Sequence, residues 1–582
     1  MIMKKIKYIS LCTALVFLFS CQKELKKEFQ NPETFDPTPE ELIPGMFTSM
    51  LHQYKFYIKD YGLWYWMLNG GTSVTGYSQI AQRYITPRYD WFVDYDDLVT
   101  GNGMNSENDD GTLFNDFYIR MRNWAAMKDK LATFSGQDLA DNEIFFQLAT
   151  VEKDWGALRN VDLFNSIPYF DALKGAQGVF FPKYDDPKII YDSVITELKN
   201  LEDQLPQTYS GMSAEAKEVL QSQDFALHGD ISKWIQYIHA LRLRFAVRIS
   251  GVDEAFAKET IQDLLSKNDF PQEDLIFTVP EKNNVLSGGM WERGLYENAY
   301  ATFIPDVILK RMNFDLLTYQ PHTDDPRLPV IAMPTKYGDY RAVSYNADAQ
   351  DSAYKAGDTY YPYADDIQAS LEQNAKSMYN FATYTHNDFP GIMFTRAEVD
   401  LLLAEVELKG LGSTGKSAGD HIHDAVVHST DFWYQINPLQ GDDKKEEWRQ
   451  DPSVKTLFPS KPSDDIIASY ADKVKQAFES AGSLDDKMEI LMQQKYIHIN
   501  LMDPDELFSE LRRTRHPKLE PMTINGKVMK PMPERLKYPS SELGTNADNY
   551  LQVRDQDNYT SFIFWIPPSL QNVSYYMNGY IN

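Results

Sequence analysis

Residues 229–250 read GDISKWIQYIHALRLRFAVRIS, and their period decides the fold class. Asp230 is placed to accept the first free amides of a helix, and Ile231, Trp234, Ile235, Ile238, Leu241, Phe245 and Ile249 then recur on one helical face. The same period runs through Ile144, Leu148, Val151, Trp155 and Leu158, and through Ile190, Val194, Leu198 and Leu201. It returns in Val399, Leu402, Leu403 and Val406, and in Leu484, Met488, Leu491, Met492 and Ile499. These stripes are core faces, and they predict a mainly α protein, a helical scaffold.

Between the helices the pattern breaks down over about 69–111, 268–294, 322–368, 435–462 and from 517 onward. Segments this long without regular structure are uncommon unless they carry function, so a helical body bearing large loops reads first as a binding protein. Successive helices suggest tetratricopeptide-like pairs, although no repeat of fixed period is present. No low-complexity linker divides residues 39–582, which are expected to form one unit behind a leader, 1–20, and a tether, 21–38.

The leader is read from Lys4 to Cys21, KKIKYISLCTALVFLFSC. Basic residues, an apolar run from about Tyr8 to Phe19 and a terminal cysteine are the parts of a secretory signal of lipoprotein type. Leu18-Phe19-Ser20-Cys21 resembles the bacterial lipobox, so Cys21 is the expected lipid anchor. The apolar run is shorter than the roughly 20 residues that span a bilayer. Gln22, Lys23 and Glu24 resemble the export signal of surface lipoproteins in Bacteroidetes. The chain has two cysteines, Cys12 and Cys21, so the body must be held by its core rather than by disulfides.

A formal net charge of -27 excludes nucleic acid as a natural partner, since no basic cluster offsets it. Four motifs that carry chemistry elsewhere are weakened by their context. Gly410 to Ser417, GLGSTGKS, fits the phosphate-loop pattern, but a helix precedes it where a strand is required, so the glycines read as a helix C-cap and a turn. His421, Asp424 and His428 share a helix face without a metal-binding motif around them, and read as partly exposed histidines. Asp94, Asp96, Asp97, Glu107, Asp109 and Asp110 fail the twelve-residue calcium-loop spacing. Gly71-Thr72-Ser73-Val74-Thr75 lacks the closing glycine of a nucleophile elbow. No catalytic residue, metal or cofactor is therefore expected.

With that scaffold in place, seven segments resemble the SusD/RagB family of nutrient-binding outer-membrane lipoproteins, in the branch called SusD-like family 2. They are Asp162 to Leu173 (DLFNSIPYFDAL) and its continuation Pro182 to Leu201, Gly229 to Ser250, Asp325 to Pro329 (DPRLP), Thr395 to Gly410, Leu511 to Leu519 (LRRTRHPKL) and Pro533 to Glu542 (PERLKYPSSE). Two positions depart from the family pattern: Glu534 replaces a basic residue, and Glu510-Leu511 stands where an aromatic is common. The resemblance implies a helical body with tetratricopeptide-like pairs and an irregular ligand-binding face. It also implies a SusC-like TonB-dependent barrel transporter as partner, and a protein that faces the cell exterior from the outer membrane. Arg242, Arg244 and Arg248 are then expected to pair with buried acids rather than with ligand.

Surface capture of oligosaccharide or peptide is the leading functional reading. A secreted hydrolase of the same polymers and a structural transporter subunit without its own ligand remain open beside it. Aromatic side chains make up 13% of the chain, enough to line a recognition surface as well as a core. The expected ligand-binding residues are Tyr337, Tyr340, Tyr345 and Tyr361 in one loop region, taken as exposed, and Trp66 and Trp91 in another. For the two tryptophans, a place in the core is the competing reading.

Overall fold

The computed structural model describes residues 39–53, 110–278, 304, 306–312, 319–342, 376–384, 389–437, 457–500, 502–519, 523–524, 527–528 and 534–576. The leader, Cys21, Trp66, Trp91, Tyr345 and Tyr361 lie outside them, as do Asp94 to Asp109 and Gly71 to Thr75.

The longer helices are α1 (Pro39–Gln53), α2 (Asp110–Arg120), α3 (Arg122–Leu131), α4 (Gly136–Phe164), α5 (Pro187–Gly211), α6 (Ala214–Gln223), α7 (Ile231–Ile249) and α8 (Glu254–Lys267). They continue as α9 (Asp306–Met312), α10 (Arg396–Lys409), α11 (Ala418–Ile436), α12 (Asp464–Ser480), α13 (Leu484–Ile499) and α14 (Pro504–Thr514). Consecutive helices pack as pairs, α4 with α5, α7 with α8, α10 with α11 and α12 with α13, and α7 also touches α5 and α10. The mainly α expectation holds, and strands among the described residues are short. β1 (Leu275–Phe277) pairs antiparallel with β2 (Gly391–Phe394), and β3 (Thr523–Ile524) with β4 (Lys527–Val528). Gly391 is required where the first pair forms, because a Cβ there would meet the Phe277 ring at 2.1 Å.

Asp230 caps α7 by accepting from the Lys233 amide. The helix is buried on more than the predicted stripe: from Tyr237 to Ile249 every residue is inside, the three arginines included. A helix closed in on all sides must bring its own polar groups into contact with partners. Arg242 reaches Glu202 of α5 at 2.7 Å and Asp263 of α8 at 2.8 Å. Arg244 grips Glu398 of α10 with two bonds of 2.8 and 2.7 Å. Arg248 binds Asp162 of α4 and Glu506 of α14. The expectation of buried acid partners is met at all three positions.

The network continues away from α7. Lys495 of α13 lies 3.1 Å from Glu506 and 3.4 Å from Glu510, and Arg513 bridges Glu510 and Glu405. Burial alone would raise the carboxyls of Glu506 and Glu405, but the cations beside them prevail and hold both down at about 2. Glu510, one of the departures from the family pattern, is thus a charge partner of Arg513 and Lys495. Glu534, the other, accepts from Arg515 and from the Tyr575 hydroxyl at 2.7 Å. Burial pushes its carboxyl up to about 7.

Two apolar cores flank these charges. The larger joins α1 to α8 with the C-terminal segment, and a smaller one packs Ile422, Val426, Val474, Phe478, Leu491 and Met492 between α11, α12 and α13. The C-terminal segment returns to the end of α4, where the Leu536 amide donates to the Leu163 carbonyl at 2.8 Å and the Trp565 indole to Asp162 at 2.8 Å.

Glu152 of α4 stands outside this pairing: it is 1% exposed, and neither carboxyl oxygen has a hydrogen-bond partner among the described residues. Burial, and then the neighbouring Asp224 carboxylate, hold its pKa well above the usual 4.5. The folded protein therefore keeps a proton that the unfolded chain releases from about pH 4.5 upward. The stability contribution of this group is intact below that value and falls as pH rises toward the folded pKa. Glu152→Gln removes the term, so urea unfolding should show the variant gaining on the parent by up to about 1.4 kcal/mol per pH unit between pH 5 and 7. A stability difference independent of pH would contradict the assignment.

Candidate ligand-binding site

The segment Tyr319–Ala342 carries the candidate site and is anchored by a second set of buried charges. Arg327 is fully buried, binds Asp325 at 2.9 and 2.6 Å, and donates to Ser429 of α11 at 3.0 Å and Gln494 of α13 at 2.7 Å. One turn of helix, Leu328–Ile331, follows. The chain then runs beside residues 376–384, through a Met333 amide to Met378 carbonyl bond of 2.8 Å.

Next comes a tight turn. Thr335 donates its hydroxyl to Asp339 at 2.5 Å and accepts from the Tyr337 amide at 3.1 Å, while Gly338 takes φ +79°, which a side chain would resist. This turn presents Tyr337 to solvent with 56% of its surface exposed. The Arg341 guanidinium lies 4.6 Å from the ring centroid and the Lys336 ammonium 5.0 Å away. Asp339 holds Arg341 at 2.9 Å, and these bonds win over burial to keep the Asp339 carboxyl below its usual range. The result is a fixed aromatic plate ringed by donors, suited to stacking on a sugar face or a peptide side chain.

Tyr340 differs from expectation. It is 5% exposed and belongs to the larger core, because three residues past Tyr337 the turn has reversed and points its side chain inward. Of the six expected ligand residues, only Tyr337 and Tyr340 lie among the described residues, and only Tyr337 is available to a ligand there. Lys336 and Arg341 escaped the sequence reading, although the order Lys-Tyr-Gly-Asp-Tyr-Arg over 336–341 places a cation on each side of the turn.

The motifs set aside in the sequence also find their places. Gly410 ends α10 at φ +63°, with the Leu411 amide closing back on the Val406 carbonyl at 2.9 Å. Ser417 and Asp420 form a reciprocal cap on α11. The Thr414 amide donates to Glu407, and Lys416 pairs with Asp424 at 2.8 Å, so a carboxylate already occupies the loop that a phosphate would need. His428 bonds Asp400 at 2.6 Å. His421 is buried rather than partly exposed, bonds the Thr414 hydroxyl at 2.7 Å, and burial lowers its pKa. No group of three metal-ligating side chains occurs among the described residues, and no helix among them is long and apolar enough to cross a membrane.

The SusD-like family model, described as starch-binding and associating with the outer membrane, matches residues 74–539, and the chain belongs to that family. No curated protein matches the sequence. Among solved structures, a chitin-binding protein aligns at 20% identity and TM-score 0.61, covering 90% of this chain and 99% of its own. A chitin-binding SusD homologue from Flavobacterium johnsoniae aligns at 17% identity and TM-score 0.61, covering 90% and 98%. A SusD homologue from Bacteroides fragilis aligns at 17% identity and TM-score 0.58, covering 87% and 99%. At these identities the likeness concerns the fold.

The two tyrosines separate by experiment. Tyr337→Ala should leave the unfolding free energy within about 0.5 kcal/mol of the parent, as surface substitutions do, whereas Tyr340→Ala should cost about 3 kcal/mol for the cavity it leaves. Equal costs in urea unfolding would contradict the placement of the turn.

Proposed function

We propose that this SusD-like chain is a surface lipoprotein, anchored through Cys21 at the outer membrane, that captures oligosaccharide and passes it to a SusC-like TonB-dependent barrel transporter. The family match over 74–539 carries the reading, since the family model is described as starch-binding and associated with the outer membrane. The chitin-binding relatives favour a glycan over a peptide as ligand. Tyr337 and its flanking cations supply a platform of the right chemistry: a rigid ring for the apolar face of a pyranose and charged donors for its hydroxyls. Binding without turnover is the activity that the described part of this plate supports, since its carboxylate, Asp339, is held by Arg341 and Thr335.

Isothermal titration of the purified protein with maltohexaose and chitohexaose should give saturable binding of at least one sugar, with no shorter product on prolonged incubation. The Cys21→Ala form should bind equally but no longer partition with outer membranes. Release of shorter oligosaccharides would support the hydrolase reading instead, and unchanged membrane partitioning of Cys21→Ala would remove the anchor.

A further inference from the structure

A second cleft opens between α3, α4 and α5, built from elements that share no residue with the Tyr337 turn. Its volume is about 630 Å³, within the range of small-ligand sites. The aromatic part of its lining is Trp124, Tyr169, Phe170 and the edge of Phe117. The polar part is one face of α5, where Asp192, Ser193, Thr196, Glu197 and Asn200 follow at helical spacing.

The aromatic part is held in place before any ligand arrives. Trp124 stacks on Phe146 at 5.4 Å with 25° between the planes, and its indole N–H donates to Thr150 at 2.9 Å. The amides of Tyr169 and Phe170 both donate to one oxygen of Asp185 at 2.9 Å, and the Tyr118 hydroxyl donates to the Pro168 carbonyl just before them. Lys153, 5% exposed, sits 5.2 Å from the Trp124 ring centroid and 4.9 Å from that of Tyr169. Its ammonium bonds Asp154 at 2.6 Å, Glu197 at 2.8 Å and the Tyr169 hydroxyl at 2.6 Å. Phe170 remains 40% exposed at the cleft.

This arrangement selects a ligand class by what it leaves unused. The cation position over both rings is already filled by Lys153, so a cationic ligand gains little there. Asp192 and Glu197 already pair with Lys188 at 2.7 Å and Lys153 at 2.8 Å, so their charge is compensated and the face draws no ion of either sign. A neutral ligand with an apolar face for the rings and hydroxyls for the carboxylates, hydroxyls and amide of α5 satisfies both parts of the lining. That is the chemistry of a pyranose ring.

We propose that this cleft is a second saccharide subsite, taking one or two neutral sugar units of an oligosaccharide and separate from the Tyr337 turn. The inference rests on the oligosaccharide reading above. Hydrogen-exchange mass spectrometry of the full chain with maltohexaose or chitohexaose tests it. Sugar should slow exchange in residues 169–173 and 192–200. At a sugar concentration near the parent Kd, Phe170→Ala, and independently the exposed Asn200→Ala, should lose most of that protection while retaining the parent melting temperature, with Phe170→Ala weakening the site about tenfold. Sugar binding that leaves these residues unprotected, or protection unchanged in both variants, overturns the subsite while the proposed function stands. Failure of both sugars to bind the parent overturns the two together.

Discussion

Three guanidinium groups inside α7, a helix buried on every side from Tyr237 to Ile249, commit distant parts of the chain to supplying carboxylates. An unpaired charge at Arg242, Arg244 or Arg248 would cost several kcal/mol, so α7 is stable only when α4, α5, α8, α10 and α14 have closed around it. Burying ion pairs is not an efficient route to raw stability, since apolar side chains of equal volume often serve as well. Its consequence here is positional. Each arginine accepts a carboxylate from particular helices, and the branch through Lys495 and Arg513 couples α10, α13 and α14 to the same network. The helix pairs are thereby set relative to one another by groups that tolerate little displacement.

That rigidity is what the candidate binding surfaces use. The Tyr337 turn grows from the Asp325–Arg327 pair, itself held on α11 and α13. The cleft beside α5 has its rings fixed through Lys153 and Asp185. In both places an exposed aromatic stands on a framework that has already lost its conformational freedom on folding, which would lower the entropy cost of holding the proposed oligosaccharide. The C-terminal segment adds to this by returning to α4, where Arg512 donates to the carbonyls of Glu534 and Asp162 and so ties that segment to the end of α4.

The helices were legible because their apolar periods are strong and several carry a capping residue, as at Asp230, Ser417 and Ser483. The pairing of the α7 arginines with acids was legible as well, but not the identities of the acids. Glu398 and Glu506 lie 154 and 258 positions from their arginines, and nothing local distinguishes them from other carboxylates in so acidic a chain. Tyr340 was misread for a related reason: Gly338 and Asp339 announce a solvent turn, but which tyrosine the turn turns inward depends on backbone direction past the glycine. His421 looked like a surface residue because its partner Thr414 belongs to a loop whose folding back on α11 has no periodic signature. The cleft at Trp124 escaped the sequence reading because Tyr169 and Phe170 stand in the family-like segment Asp162 to Leu173, and the α5 face that completes the lining is polar and partly exposed.

The central claim is that the buried network joins separate helix pairs into one cooperative unit, and native-state hydrogen exchange of Glu506→Gln tests it most directly. Glu506 faces Arg248 and Lys495, so its loss should leave both cations under-compensated and cost about 3–5 kcal/mol. The slowest amides of α4, α7, α10, α13 and α14 should then accelerate together by a common factor, since they open through the same global event. Faster exchange confined to α14, with α4, α7 and α10 at the parent rate, would contradict the account.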